Sequence, residues 1–209
     1  INSIAIGNVY GNSSVEIVTG GYYFDGTRDV AQLIVSDGST LTAKQVKIWY
    51  WTNNTIINSV AVGDVDADGH IEIVTGGYYF DGTRDVAQLI VWNGSNLALK
   101  ESTGWYMFGN TIINSVAIGD VDRDGHVEIV TGAYYFDGLR DVSQLVVWNG
   151  STLTAKLVTV WFGGSNTVIN YVAIGDINGD GIPEIVTGGY YYDGVRNLAQ
   201  LTIWTASYA

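Results

Sequence analysis

Apolar and polar positions take turns along most of this chain. The stretches "IEIVTGGYY" (71–79) and "AQLIVW" (87–92) alternate the two kinds, and "NSVAIG" (114–119) alternates small and branched residues. A period of two predicts strands with one covered face. Between the runs stand "FDG" and "WNGS", whose Asp-Gly and Asn-Gly pairs suit tight hairpin turns. A further strand is expected around "LTAKLVTVWF" (153–162) and its counterparts. No window carries a helical period.

The pattern is written almost four times. Gly7, Gly63, Gly119 and Gly175 recur every 56 residues. "EIVTGGYYFDGTRDVAQLIVW" (72–92) returns as "EIVTGAYYFDGLRDVSQLVVW" (128–148) and "EIVTGGYYYDGVRNLAQLTIW" (184–204), after a first copy at 16–36. Four strands per unit at a fixed period predict an all-β, four-bladed β-propeller. Its repeats are 1–56, 57–112, 113–168 and 169–209, taken as a single domain. Half of an eight-bladed ring made by two chains stays open as an alternative. The last unit holds 41 residues (209 − 169 + 1), about 15 short of 56, so its blade should lack the fourth strand. A start at Ile1 without methionine suits a processed product or one segment of something longer.

Composition narrows the function. Hydrophobic residues make up 47% of the 209, enough for a substantial core. The net charge of −12, with nine basic residues, argues against nucleic acid and against an anionic membrane surface. The longest uncharged run, 157–175, is broken by Gly163, Gly164, Ser165 and Asn166, so no membrane insertion is expected. With no cysteine, disulfides, thiolate metal sites and cysteine nucleophiles are excluded.

Three units carry a dense set of oxygen ligands. They are Asp64, Asp66, Asp68 and Glu72; Asp120, Asp122, Asp124 and Glu128; and Asp176, Asn178, Asp180 and Glu184. Two like charges about 4 Å apart cost roughly 4 kcal/mol at an effective dielectric of about 20, so such sets call for a cation. Alternate positions in a tight loop can point inward together. Gly69, Gly125 and Gly181 permit the sharp turn. The next residue is His70, His126 or Ile182, a chemical scatter that suits a ligand using only its backbone carbonyl. All-oxygen ligation favours Ca2+ over zinc or copper. The first unit reads Asn8, Tyr10, Asn12 and Glu16, with one acid, and its loop is expected to be empty or weakly occupied.

The segment "SVAIGDVDRDGHVEIVTGA" (115–133) resembles the FG-GAP/VCBS repeat of integrin-type propellers, and the match extends over the chain in four copies. The resemblance implies a propeller with Ca2+ in the loop between the first two strands of a blade. Its ligand positions one, three, five, seven and nine fall on Asp64, Asp66, Asp68, His70 and Glu72 in the second unit. They fall on Asp120, Asp122, Asp124, His126 and Glu128 in the third, and on Asp176, Asn178, Asp180, Ile182 and Glu184 in the fourth. The family usually has Asp at position nine, where this chain has Glu.

Other repeated residues read as structural. Arg28, Arg84, Arg140 and Arg196, each followed by Asp or Asn (Asp29, Asp85, Asp141, Asn197), suit a strut repeated in each blade. The Tyr-Tyr pairs and the two Trp series suit packing between blades; stacking on sugar rings is the alternative. His70 and His126 are loop residues with no partner for catalysis. No asymmetric constellation breaks the repetition, so no catalytic residue and no enzyme activity is expected. The expected role is a calcium-stabilised extracellular or cell-surface structural module. Its expected partners are copies of itself or adjacent propeller modules, met through head-to-tail or strand-sharing contacts in a fibre or surface assembly. A lectin or adhesin holding glycans is the alternative.

Overall fold

The computed structural model describes residues 1–205, where 15 strands and no helix are found. The first sheet holds β1 (Ser3–Gly7), β2 (Glu16–Phe24), β3 (Asp29–Asp37) and β4 (Ala43–Trp49). The second holds β5 (Thr55–Gly63), β6 (Glu72–Phe80), β7 (Asp85–Asn93) and β8 (Leu99–Trp105). The third holds β9 (Thr111–Gly119), β10 (Glu128–Phe136), β11 (Asp141–Asn149) and β12 (Ala155–Trp161). The fourth has three strands, β13 (Thr167–Gly175), β14 (Glu184–Tyr192) and β15 (Asn197–Thr205). Every sheet is an antiparallel meander, and the missing strand of the last one matches the count made from the repeat.

The turns form where the Asp-Gly pairs predict them. In the β2–β3 hairpin Asp25 Oδ1 accepts the backbone N–H groups of Thr27 and Arg28 at 2.8 and 2.9 Å, and Gly26 takes φ +100°. Asp81, Asp137 and Asp193 repeat that arrangement. In each, a short carboxylate satisfies two turn donors that would otherwise need water.

The sheets stack face to face as the blades of a propeller-like fold, and glycine sets their separation. A Cβ on Gly76 in β6 would lie 2.6 Å from Val116 Cγ1 of the next blade, and one on Gly132 in β10 would lie 2.5 Å from Val172 Cγ2. No residue but glycine fits at such a distance. A β-bulge in the first strand of a blade aims an asparagine at its neighbour. Asn2, Asn58 and Asn114 donate through Nδ2 to the carbonyls of Ile57, Ile113 and Ile169 at 2.7–2.8 Å. Ser3, Ser59 and Ser115 accept the backbone N–H of Val60, Val116 and Val172, each at 3.0 Å. Farther out, Trp49, Trp105 and Trp161 meet Trp92, Trp148 and Trp204 with ring centroids 4.8–4.9 Å apart. These tryptophans pack between blades, as the sequence suggests.

The stack is open. Gly175 and Gly188 of the fourth blade, the counterparts of Gly119 and Gly132, have nothing within 4 Å of a built Cβ. Ile1, Ile4 and Ile6 on the first blade are exposed. Closure of the four blades into one ring, as a four-bladed propeller requires, is therefore absent among the described residues. The repeat length sets strands per blade, but blades per ring depend on the angle between neighbours, which the sequence does not display.

The turn carboxylates give the fold an acid dependence. Asp81 is held below the ordinary carboxylate value, first by the backbone N–H of Arg84 and then by that of Thr83. A carboxylate with a lowered folded pKa stabilises the fold above its unfolded value of about 3.9, and that contribution is lost as pH falls through the folded value. An Asp81→Asn variant is expected to melt below the wild type at a pH of about 6, with the gap closing toward a pH of about 2. Calorimetry across that range checks it.

Candidate metal centres

The acidic residues occupy the loops between the first and second strands of the blades. In the second blade Asp64 Oδ2 accepts Gly69 N–H at 3.0 Å and Asp68 Oδ1 accepts His70 N–H at 2.8 Å. Gly69 at φ +83° and Ala67 at φ +59° supply the tight curl, and Gly125 and Arg123 do the same in the third blade. The loop thus turns its own N–H groups onto its carboxylates and folds them inward.

Glu72, Glu128, Glu184 and Glu16 stand at the start of the second strand of each blade and are buried. Each reaches back to the loop. Oε2 accepts the backbone N–H of Val65, Val121, Ile177 and Val9 respectively, at 3.0–3.1 Å. Glutamate suits this role because its extra methylene lets the carboxylate bridge from strand to loop.

The other oxygen of three of these glutamates meets a lysine. Lys100 Nζ lies 2.5 Å from Asp66 Oδ2, 2.9 Å from Asp68 Oδ2 and 2.9 Å from Glu72 Oε1. Lys156 Nζ repeats this at 2.5 Å from Asp122, 3.1 Å from Asp124 and 2.9 Å from Glu128. Lys44 Nζ lies 3.1 Å from Glu16 and 3.0 Å from Asp37. All three lysines project from the fourth strand of their blade. Burial alone would lower the Lys100 pKa, but its bonds to Asp66, Glu72 and Asp68 more than offset that, and the net shift is upward. Burial pushes Glu72 above the ordinary range, against the opposing pull of Lys100 and the Val65 N–H.

An ammonium does not exhaust these sites. The side chains of Asp64, Asp66, Asp68 and Glu72 each offer an oxygen within 4.8 Å of the others, as do those of Asp120, Asp122 and Asp124. Four carboxylates and one ammonium leave three negative charges in the second blade, and the third blade has the same balance. Asp64 Oδ1 and Asp120 Oδ1 are buried without any hydrogen-bond partner. An unpaired anionic oxygen shielded from water is costly. An all-oxygen set with an unpartnered member fits a hard divalent cation, so these clusters could hold a metal ion.

The other two loops differ. In the fourth blade Asp176 Oδ2 and Oδ1 accept Gly181 and Gly179 N–H at 2.8 and 2.7 Å, and Asn178 Nδ2 donates to Glu184 Oε1 at 2.9 Å. That amide takes the place the lysine holds elsewhere. In the first blade the Asn8 side chain donates through Nδ2 to the Asn12 carbonyl and accepts the Asn12 N–H at Oδ1, and Tyr10 lies under the Lys44 ammonium, 5.1 Å from its ring centroid. No carboxylate joins Glu16 from that loop. His70 and His126 are exposed, and Ile182 is likewise outside the core.

A likeness to known proteins agrees with this geometry. The profile of the FG-GAP repeat matches residues 113–148 and 172–204. The chain carries FG-GAP repeats. Integrin alpha-6 of Gallus gallus is 29% identical to it over 145 residues, covering 62% of this chain and 13% of the integrin. Integrin alpha-6 of Homo sapiens is 28% identical over 142 residues, covering 62% and 12%. The chain therefore spans about an eighth of these curated relatives. Both FG-GAP matches include an acidic loop or the strands that follow one.

Two features escaped the sequence reading. Nine basic residues look scattered when counted, yet Lys44, Lys100 and Lys156 recur at the repeat period of 56. That spacing was the available signal. The arginines are struts, but their acid is the one three residues earlier. Arg28, Arg84, Arg140 and Arg196 approach Asp25, Asp81, Asp137 and Asp193 at 3.7–3.9 Å. The first three also lie over Tyr50, Tyr106 and Phe162 at 4.4–4.5 Å. The acid that follows each of the first three arginines is instead held through its backbone, as Asp29 N–H is by Asn54 Oδ1 at 2.9 Å.

Replacing Lys100 with methionine leaves Glu72 buried without its ammonium. In chelator this is expected to cost about 1–3 kcal/mol of stability, with part recovered on adding calcium. Urea unfolding under both conditions checks it, and an unchanged midpoint in chelator would show that Lys100 is not the compensating charge.

Proposed function

We propose that the chain is a non-catalytic, calcium-stabilised module of an extracellular or cell-surface assembly. The observation that carries this reading is the pair of buried, unpartnered oxygens, Asp64 Oδ1 and Asp120 Oδ1, each among further carboxylates. Asp64, Asp66, Asp68 and Glu72 hold one ion in this reading, with the His70 backbone. Asp120, Asp122, Asp124 and Glu128 hold a second, with the backbone of His126. Asp176, Asn178, Asp180 and Glu184, with that of Ile182, hold a third. The cation supplies positive charge where the chain has packed negative charge, and so ties each loop to the strands on either side. Weak all-oxygen sites fill where calcium is millimolar, which supports a setting outside the cell.

The repetition supports a role without catalysis. Each candidate residue has counterparts in other blades, and none stands in a unique pairing of nucleophile and base among the described residues. The integrin relatives support an adhesive setting, in which the module meets copies of itself or neighbouring propeller modules.

Glycan binding is a second reading, favoured by aromatic recesses at the blade edges. Trp51 stacks on Tyr79 at 5.9 Å beside Gln88 and Ser102, and Phe108 stacks on Tyr135 at 6.1 Å. Flat rings beside polar groups suit sugar faces. Calcium-dependent binding at equivalent sites on a glycan array supports this role, and an array without signal removes it.

The calcium reading has a direct thermal test. Melting in calcium and in excess chelator is expected to differ by several degrees, and Asp64→Asn with Asp120→Asn should shrink that difference. An identical melting temperature in both buffers contradicts the cation role.

A further inference from the structure

Three joints between blades lie inside this molecule, and each is built the same way. The leading blade offers a glycine pair, an asparagine and a row of branched side chains. The following blade inserts three branched residues of its first strand. Gly20, Gly76 and Gly132 receive Ile57 with Val60, Ile113 with Val116, and Ile169 with Val172. Gly7, Gly63 and Gly119 receive Val62, Ile118 and Ile174.

Both halves of a fourth such joint stand uncovered. On the leading side, Gly188 and Gly175 receive nothing. Leu201, opposite Gly188 in β15, is 72% exposed, whereas its counterpart Leu145 is fully buried. Ile177 and Ile203 on the same face are exposed, and their counterparts Val121 and Val147 are buried. On the following side, Ile4 is 61% exposed, whereas its counterpart Val60 is 6% exposed. Ile1 is exposed as well, where Ile57 and Ile113 are buried, and Ile6 is exposed where Val62 and Ile118 are half-buried. Two apolar faces of this extent on one acidic molecule are unusual unless something covers them.

We infer that the free face of the fourth blade binds the free face of the first blade of a second copy of this chain. The occupant follows from continuity, because the first blade's free face carries the side chains that fill the same slot three times within the molecule. Gly188 would receive Ile1 and Ile4 of the second copy, and Gly175 would receive Ile6. Asn170 is next in the series of Asn2, Asn58 and Asn114, and its acceptor would be the Ile1 carbonyl of that copy. The contact is heterologous, so two copies close a ring of eight blades or many extend a filament, as the angle between blades decides.

Residues at the two faces make this joint weaker than the internal ones. Tyr171, exposed on the fourth blade, stands where Ser3, Ser59 and Ser115 accept a backbone N–H from the next blade. Ser36 stands in the first blade where Trp92, Trp148 and Trp204 meet a tryptophan of the preceding blade. Assembly between copies is therefore reversible and dependent on concentration, while the blades within a copy stay together.

This deepens the assembly part of the function proposed above and is independent of the cation part, since its readout is mass and not thermal stability. Sedimentation velocity of the chain in calcium, over a concentration series, is expected to give multiples of the chain mass. Leu201→Glu and Ile4→Glu each place a charge on one exposed face and should each be monomeric. An equimolar mixture of the two variants keeps one intact face of each kind and should form a dimer. A wild type that stays monomeric up to the highest concentration overturns the inference. Self-association of either variant alone overturns it too, because that requires a contact between like faces or through another surface. Circular dichroism of both variants guards against misfolding, and a dimer in the mixture itself requires two folded partners.

Discussion

A carboxylate shielded from water opens the second strand of every blade. Glu16, Glu72, Glu128 and Glu184 are each at most 2% exposed, in a protein whose formal charge is already −12. A buried anion is tolerated only when hydrogen bonds and opposite charge compensate it. One oxygen is satisfied by the backbone of the preceding loop, which fixes the loop to the strand. The other takes a lysine from the outermost strand in three blades, which fixes that strand to the loop. Each of these three blades is thus tied across its width by one side chain and its two partners. The aspartates gathered around the same lysine in two blades exceed what one ammonium neutralises, and from this excess arises the capacity for a cation.

The stacking of blades follows a separate rule, steric and not electrostatic. Glycines in the second strand let the next blade's branched residues approach, and a bulged asparagine with a serine registers the two sheets along their length. Since each joint uses residues that recur at the same interval, the surfaces left at either end of the stack are the two halves of that joint. Loop chemistry and blade stacking meet at Val65 and Val121, which lie within the acidic loops, donate their N–H to the buried glutamates and bury their side chains at the blade joints. A change of charge in the loop is therefore felt at the interface between blades.

Much of this was legible in the sequence. The period of 56, the strand alternation and the Asp-Gly turns place the strands, and the short last unit accounts for the three-stranded sheet. The acidic loops announce themselves by alternate aspartates before a glycine. Blade closure was not legible, because the angle between sheets is set by the fit of Ile57 and Val60 against Gly20 in three dimensions. The lysine clamp was obscured because Lys100 lies 28 residues beyond Glu72, and only pairing through the meander brings them together. The arginine struts misled for a similar reason. Adjacency to Asp29 suggested a pair, but Arg28 lies in the turn, which curls Asp25 round to it instead.

Hydrogen exchange of the loop amides, followed with and without calcium, tests the central claim most directly. The account predicts that calcium slows exchange at 64–70, 120–126 and 176–182 while leaving the first blade's loop at 8–14 unchanged. Protection spread evenly over all four loops, or no protection at any of them, would contradict it.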